Sequence, residues 1–179
     1  IAALIGAKTA KEIVFTSGAT EADNLAIKGV AEFYKDKGNH IITTVIEHKA
    51  ILDSCKSLEN GKRLEKDGYE VTYLPVDAEG MVDPKAVEAA ITDKTILVSV
   101  MLANNEVGTV MPIDDLAAVA AEFDVPMHSD AIQAVGQVSV NFAKSGLSAM
   151  SIAAHKFGGP TGVGALLLRR DTACVPLLH

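Results

Sequence analysis

The sequence predicts an α/β fold, a mostly parallel mixed sheet with helices on both faces. Three observations predict it. Short β-rich runs alternate with helical stretches along most of the 179 residues, the pattern of strand–helix–strand crossovers. Several of these runs are apolar without alternation, as strands buried on both faces are. The last two β-rich runs are joined by a Gly/Pro loop with no helix between them, so an antiparallel pair is expected there and the sheet is mixed.

The elements follow in order. The first residues read as helix, and a first strand is expected at 13–15, then a helix at 21–37. A second strand at 41–45 precedes a helix over roughly 49–66, whose last part, Asn60 to Lys66, is polar and reads as a solvent-exposed extension. A third strand is expected at 71–74. Pro84 opens a short helix at 84–91, where its missing N–H does no harm. A fourth strand at 95–101, a helix at 114–123 and a fifth strand at 125–129 come next, then strands at 149–153 and 164–168. No internal repeat or low-complexity tract interrupts the chain.

Composition narrows the class. Hydrophobic residues make up 49% and charged residues 22%, enough apolar surface for a packed core and too much for disorder. The formal net charge of -7 argues against non-specific attraction to nucleic acid. No apolar run is long enough to cross a bilayer, and residues 1–11 carry no signal-peptide pattern. Two cysteines, Cys55 and Cys174, are too few for a disulfide framework, which makes a reducing cytoplasm the default expectation. The chain starts at Ile1 without Met and stops at His179, so it reads as a piece of a longer protein.

Open sheets of this kind bind ligands beyond the carboxyl ends of their strands, and the unusual residues cluster there. After the first strand comes Thr16-Ser17-Gly18-Ala19-Thr20, running into a helix. It is either an ordinary capped turn or an anion cradle of free N–H groups. It is not a Walker loop, and no Gly-x-Gly-x-x-Gly fingerprint occurs: Leu167 sits where the third Gly would follow Gly162 and Gly164. His48, after the second strand, is either a helix cap or an aromatic, titratable site residue. Asn104 and Asn105, after the fourth, form a turn or present amides to a ligand. Asp130 ends an apolar strand, either as an N-cap or as a buried carboxylate that needs a cationic partner, with Gln133 close by. Lys156 stands between an apolar strand and a Gly/Pro loop, where desolvation would favour the neutral amine of a Schiff-base lysine. An anion cradle, an aromatic His, amides, an acid and an amine at one sheet edge suit pyridoxal phosphate. A metal site built from His128, Asp130, His48 and His155 is the weaker option, because no compact ligand set is present.

Five motifs carry a family resemblance. Ser-Gly-Ala-Thr-Glu at 17–21, Glu-His-Lys-Ala at 47–50, Asn-Asn-Glu-Val-Gly at 104–108, Asp-Ala-Ile-Gln at 130–133 and His-Lys-Phe-Gly-Gly-Pro at 155–160 resemble the cysteine desulfurases of the class V aminotransferase superfamily, the NifS/IscS-like branch above all. The likeness runs through nearly the whole chain in the family's order and spacing. It implies the large domain of a fold type I pyridoxal-phosphate enzyme spanning residues 1–179, without the C-terminal small domain and the N-terminal segment.

The resemblance also implies roles. Ala19 and Thr20 would hold the phosphate, helped by His155. Lys156 would carry the cofactor and later move protons. His48 would stack on the pyridine ring and act in acid–base steps. Asp130 would keep the ring nitrogen protonated, Gln133 would bond the phenolic oxygen and Asn105 would face the substrate side. The implied reaction takes sulfur from L-cysteine, leaving L-alanine and a persulfide on an enzyme cysteine. The parent would be a homodimer that hands sulfur to an acceptor protein, in iron–sulfur cluster assembly or nucleotide thiolation. Selenocysteine lyase shares these motifs. A sulfur-independent class V aminotransferase fits the Asn-Asn-Glu and Glu-His-Lys-Ala segments less well, and a truncated, non-catalytic binding domain is the rival of a different kind.

Two departures stand out. Family members usually carry Ser two positions before the motif His, and here that position is Ala153, which puts one phosphate contact in doubt. The nucleophilic cysteine and the substrate-binding Arg lie beyond the family's Lys motif, past His179; Cys55 and Cys174 match neither.

Overall fold

The computed structural model describes residues 1–61 and 68–178. The strands are β1 (Ile13–Thr16), β2 (His40–Thr44), β3 (Glu70–Leu74), β4 (Thr95–Ser99), β5 (Met127–Asp130), β6 (Ala149–Ala153) and β7 (Gly164–Leu168). Among the described residues they form one sheet in the order β1-β7-β6-β5-β4-β2-β3. The pairs β2–β3, β2–β4, β4–β5 and β5–β6 are parallel. Strand β7 runs antiparallel to both of its neighbours, β6 and β1. The mixed, mostly parallel sheet and its antiparallel β6–β7 pair are as expected; the seating of β1 beyond β7 is a pairing of distant segments that local pattern does not reveal.

Burial explains the unbroken apolar runs. In β2 and β4 every residue is buried. Successive residues go to opposite sides: Ile41 and Leu97 pack with Ile27, Val30, Ile51 and Cys55, whereas Ile42 and Val98 pack with Val87, Leu116 and Phe142. One face of the sheet is therefore covered by the helices within residues 19–34 and 49–59, the other by α5 (Pro84–Ala90) and α6 (Ile113–Glu122), with Ile5 packed on that second face. Edge strands β1 and β3 are only partly covered.

Helix boundaries differ from expectation in instructive ways. A short α1 (Ala2–Ile5) opens the chain. The helix expected at 21–37 begins at α2 (Ala19–Asn24), passes through a π-helical stretch (Leu25–Gly29) and ends as α3 (Val30–Tyr34). Periodicity does not betray a π insertion, because the apolar face shifts by one residue only. Helix α4 (Lys49–Glu59) stops before Asn60, and most of the predicted polar extension, residues 62–66, lies outside the described residues. Helix α5 starts as its sequence dictates: the Asp83 carboxylate accepts the Lys85 N–H at 2.9 Å, with Pro84 in the first turn.

The strand directions place the site. Because β1 and β6 both run opposite to β7, the carboxyl ends of β1, β2, β4, β5 and β6 share one edge. The segments that begin at residues 17, 45, 100, 131 and 154 all emerge there.

Candidate active site

A cavity of about 230 Å³ opens at that edge. Ala19, Thr20, His48, Asn105, Asp130, Gln133, His155 and Lys156 line it together with Met101 and Ile132. All eight residues singled out in the sequence thus surround one space. Met101 and Ile132 escaped notice because an apolar residue next to a strand looks like core. A wider cleft of about 620 Å³, lined by residues of the 77–80 and 104–107 loops, shares His48 and Asn105 with the cavity.

One end of the cavity is built for an anion. Helix α2 starts with Gly18 at its N-cap, so no side chain caps the first-turn N–H groups. Thr16 Oγ1 donates to the Gly18 carbonyl at 2.9 Å and steadies the turn. The Ser17 N–H and hydroxyl donate to Glu21 Oε2 at 2.7 and 2.6 Å. The two bonds hold this carboxylate and lower its pKa from the ordinary value. The loop lies hard against β7: a Cβ on Gly164 would stand 2.6 Å from the Gly18 carbonyl carbon, so only glycine permits the approach.

The walls come from β2 and β4. His48 is the N-cap of α4, and its Nδ1 accepts the Ala50 N–H at 3.1 Å. In the neutral ring the proton is therefore on Nε2. The cap and the site residue, alternatives in the sequence, are one and the same. The two asparagines divide their work. Asn104 is buried; its Oδ1 accepts the N–H groups of Glu106 and Val107, each at 2.9 Å, and its Nδ2 donates to the Ile46 carbonyl at 3.1 Å. That framework presents the exposed Asn105 at the cavity.

The floor is acidic. Asp130 is only 4% exposed, and its Oδ1 accepts the Ile132 N–H at 2.9 Å. Burial pushes its carboxyl above the ordinary range, while the Ile132 N–H and the charges of His48 and Lys156 pull it back. Lys156 and His155 sit on a 3-10 turn (Ala154–Phe157) that follows β6. Here the structure corrects one expectation: Lys156 is exposed, not buried. The turn carries the chain out of the sheet, so the amine enters the cavity from its solvent side.

Sequence reasoning missed what lies behind the floor. Asp23 is fully buried and Glu47 is 5% exposed. Burial raises the Glu47 carboxyl to about 8, although its Oε1 accepts from Thr44 Oγ1 at 2.7 Å and from the Met101 N–H at 2.9 Å. Burial pushes Asp23 well above the usual range too, with repulsion from Asp130 adding to it. One signal could have exposed Asp23: it shares a helix face with the buried Ala22, Ala26 and Ile27.

Neither cysteine belongs to the site. Cys55 is fully buried in α4 and its thiol is pushed up to about 12; Cys174 is half-buried against the Leu25 carbonyl and pushed up to about 11. Both are free. Among the described residues no group of three His, Cys, Asp or Glu side chains is placed to hold a metal ion, and no helix is long and apolar enough to cross a membrane.

Residues 1–176 match the family model described as aminotransferase class-V. The chain is 55% identical to an IscS-like cysteine desulfurase of Mycobacterium tuberculosis over 184 aligned positions, covering 100% of this chain and 45% of that protein. It is 52% identical to the cysteine desulfurase IscS of Dictyoglomus turgidum over 179 positions, covering 100% of this chain and 44% of the other. Among solved structures, SspA in complex with cysteine superposes with a TM-score of 0.92 at 41% identity, over 100% of this chain and 50% of that one. A NifS-like protein superposes with a TM-score of 0.92 at 38% identity, over 99% and 47% of the two chains. The chain thus spans about half the length of the proteins it matches, and it belongs to the class-V aminotransferase family.

Proposed function

We propose that this chain is the pyridoxal-phosphate core of a cysteine desulfurase, acting on L-cysteine to give L-alanine and a protein persulfide. The observation that carries the proposal is the convergence on one cavity of a lysine amine, a buried carboxylate and an uncapped helix start. The residues fit the cofactor. The first-turn N–H groups of α2 and the Thr20 hydroxyl supply donors for a phosphate. Asp130 supplies an acceptor for a ring N–H, and Lys156 an amine. The relatives named as cysteine desulfurases, and the solved structure with cysteine, support the substrate.

When bound, pyridoxal phosphate supplies an amine-reactive aldehyde and a ring that accepts electrons from the substrate's α-carbon. The chain does the rest. Asp130 would hold the proton on the ring nitrogen, because a carboxylate in a poorly solvated site favours the pyridinium form. Gln133 would donate to the ring oxygen, His48 would stack on the ring, and Thr20, Ala19 and His155 would hold the phosphate. Lys156 would hold the cofactor through Nζ and serve as the base that moves protons at the substrate carbon. Asn105 would face the substrate from the cleft.

The sulfur-accepting thiol is neither Cys55 nor Cys174, since neither lines the cavity and burial disfavours both thiolates. These 179 residues alone therefore release no sulfide from L-cysteine; robust release would contradict this assignment. The protein works as a homodimer with a sulfur-acceptor partner, in a reducing compartment such as the cytoplasm, where both free cysteines stay reduced.

The test is a visible spectrum with added pyridoxal phosphate. Wild-type protein gains an absorption band distinct from that of free cofactor, and Lys156→Ala does not. Folded protein without a band would favour a binding-only domain.

A further inference from the structure

We propose that Asp23 is a positioning residue of this site, a carboxylic acid kept protonated behind Asp130 so that the negative charge of a buried acid cluster is confined to Asp130. The inference rests on the cofactor reading above.

Two carboxyl groups, Asp23 on α2 and Glu47 ahead of α4, lie behind the floor carboxyl, Asp130 at the end of β5, and both feel its charge. The three are 0%, 5% and 4% exposed; Asp23 feels the repulsion of Asp130 and Glu47, and Glu47 feels that of Asp130. Buried like charges that repel one another do not all ionise, and the available donors decide which one does.

Asp130 has the strongest claim. A backbone N–H donates to it, and His48 and Lys156 stand on its open side. Glu47 has two donors on Oε1, while its Oε2 is unpartnered. Asp23 has neither advantage. The Ser151 hydroxyl is near enough to favour its charge in part, but neither carboxyl oxygen has a hydrogen-bond partner of good geometry among the described residues.

The groups that face Asp23 are Asp130 and His128 from β5, Ser151 from β6 and Glu47. His128 is the base among them, with Nε2 at 4.0 Å from Asp23 Oδ1. It is fully buried, and its two ring nitrogens lie 2.9 Å from the hydroxyls of Ser99 and Ser151. Burial pushes it down to about 3, so it offers no cation. An isolated buried carboxylate neutralises itself by taking a proton. With Asp23 neutral, the cluster presents one fixed charge at the ring nitrogen. An ionised Asp23 would set a second charge beside Asp130, raise its proton affinity and weaken it as a partner for the pyridinium.

Infrared spectra of purified cofactor-free protein test this at neutral pH. Asp23→Asn loses a carbonyl stretch of a protonated carboxylic acid, and with Asp130→Asn that stretch titrates away at least about one pH unit lower than in wild type, because a like charge has gone. Should Asp23→Asn fail to fold, nuclear magnetic resonance of isotope-labelled aspartate in wild type and Asp130→Asn reads the same titration. No lost stretch, or a titration indifferent to Asp130, overturns the assignment and points to an Asp23–His128 ion pair. A wild-type protein that gives no visible band with pyridoxal phosphate sinks the cofactor reading instead, whatever the infrared result.

Discussion

Glu47 links the site to the stability of the fold. Burial holds its carboxyl at about 8, against an ordinary value near 4.5. Between those values the folded state binds a proton that the unfolded chain has released, so this group makes stability fall as pH rises from about 4 to about 8. His128 acts in the opposite sense. It is neutral when folded and charges on unfolding below about 6.5, so its contribution falls as pH drops towards about 3. Glu47→Gln cancels the first effect and leaves the second. The stability of Glu47→Gln relative to wild type is therefore expected to rise by a few kcal/mol between pH 5 and 9, read by urea unfolding at each pH. An equal pH dependence in the two proteins would mean that Glu47 is ionised in the fold. At this scale the candidate site was legible in sequence, because each of its eight residues follows directly on a β-rich run. The exposure of Lys156 was not, since a 3-10 turn after β6 redirects the chain. The roles of Asp23 and Glu47 were equally hidden. Their burial is created by packing between segments far apart in the chain.

Between elements, the contact of β7 with the start of α2 carries the most weight. Gly164 pairs with Thr16 on one side and Ala153 on the other, and it presses on the Gly18 backbone. Backbone cannot yield as a flexible side chain would. Gly164→Ala is expected to destabilise the protein by about 1–3 kcal/mol, an ordinary overpacking penalty. It should also weaken pyridoxal-phosphate binding, because the loop at 17–20 must shift. Urea unfolding and a cofactor titration check both effects; an unchanged affinity would separate that loop from the phosphate. The antiparallel β6–β7 pair was readable because the two strands are neighbours in sequence. The place of β1 was not, since its partner lies some 150 residues away. The π-helical stretch at Leu25–Gly29 leaves no compositional trace either.

For the whole molecule, the double-sided burial of β2, β4 and β6 was legible in their largely apolar runs, and it fixes the α/β architecture, whereas β5, Met-His-Ser-Asp, is just as buried without such a run. What covers the outside was not legible. Leu4, Phe15, Val107 and Leu178 are between 68% and 75% exposed. In sedimentation, the apparent mass of the purified chain is expected to rise with concentration, and Phe15→Ser is expected to reduce that rise. A strictly monomeric chain at all concentrations would remove this support for the homodimer. The central proposal is chemical: the amine of Lys156 would hold the cofactor at the cavity that Asp130 also lines. Its most direct measurement is borohydride reduction of the protein mixed with pyridoxal phosphate, followed by peptide mass mapping. The expected result is a pyridoxyl group on Lys156 at one equivalent per chain. Label scattered over surface lysines, with Lys156 unmodified, would contradict it.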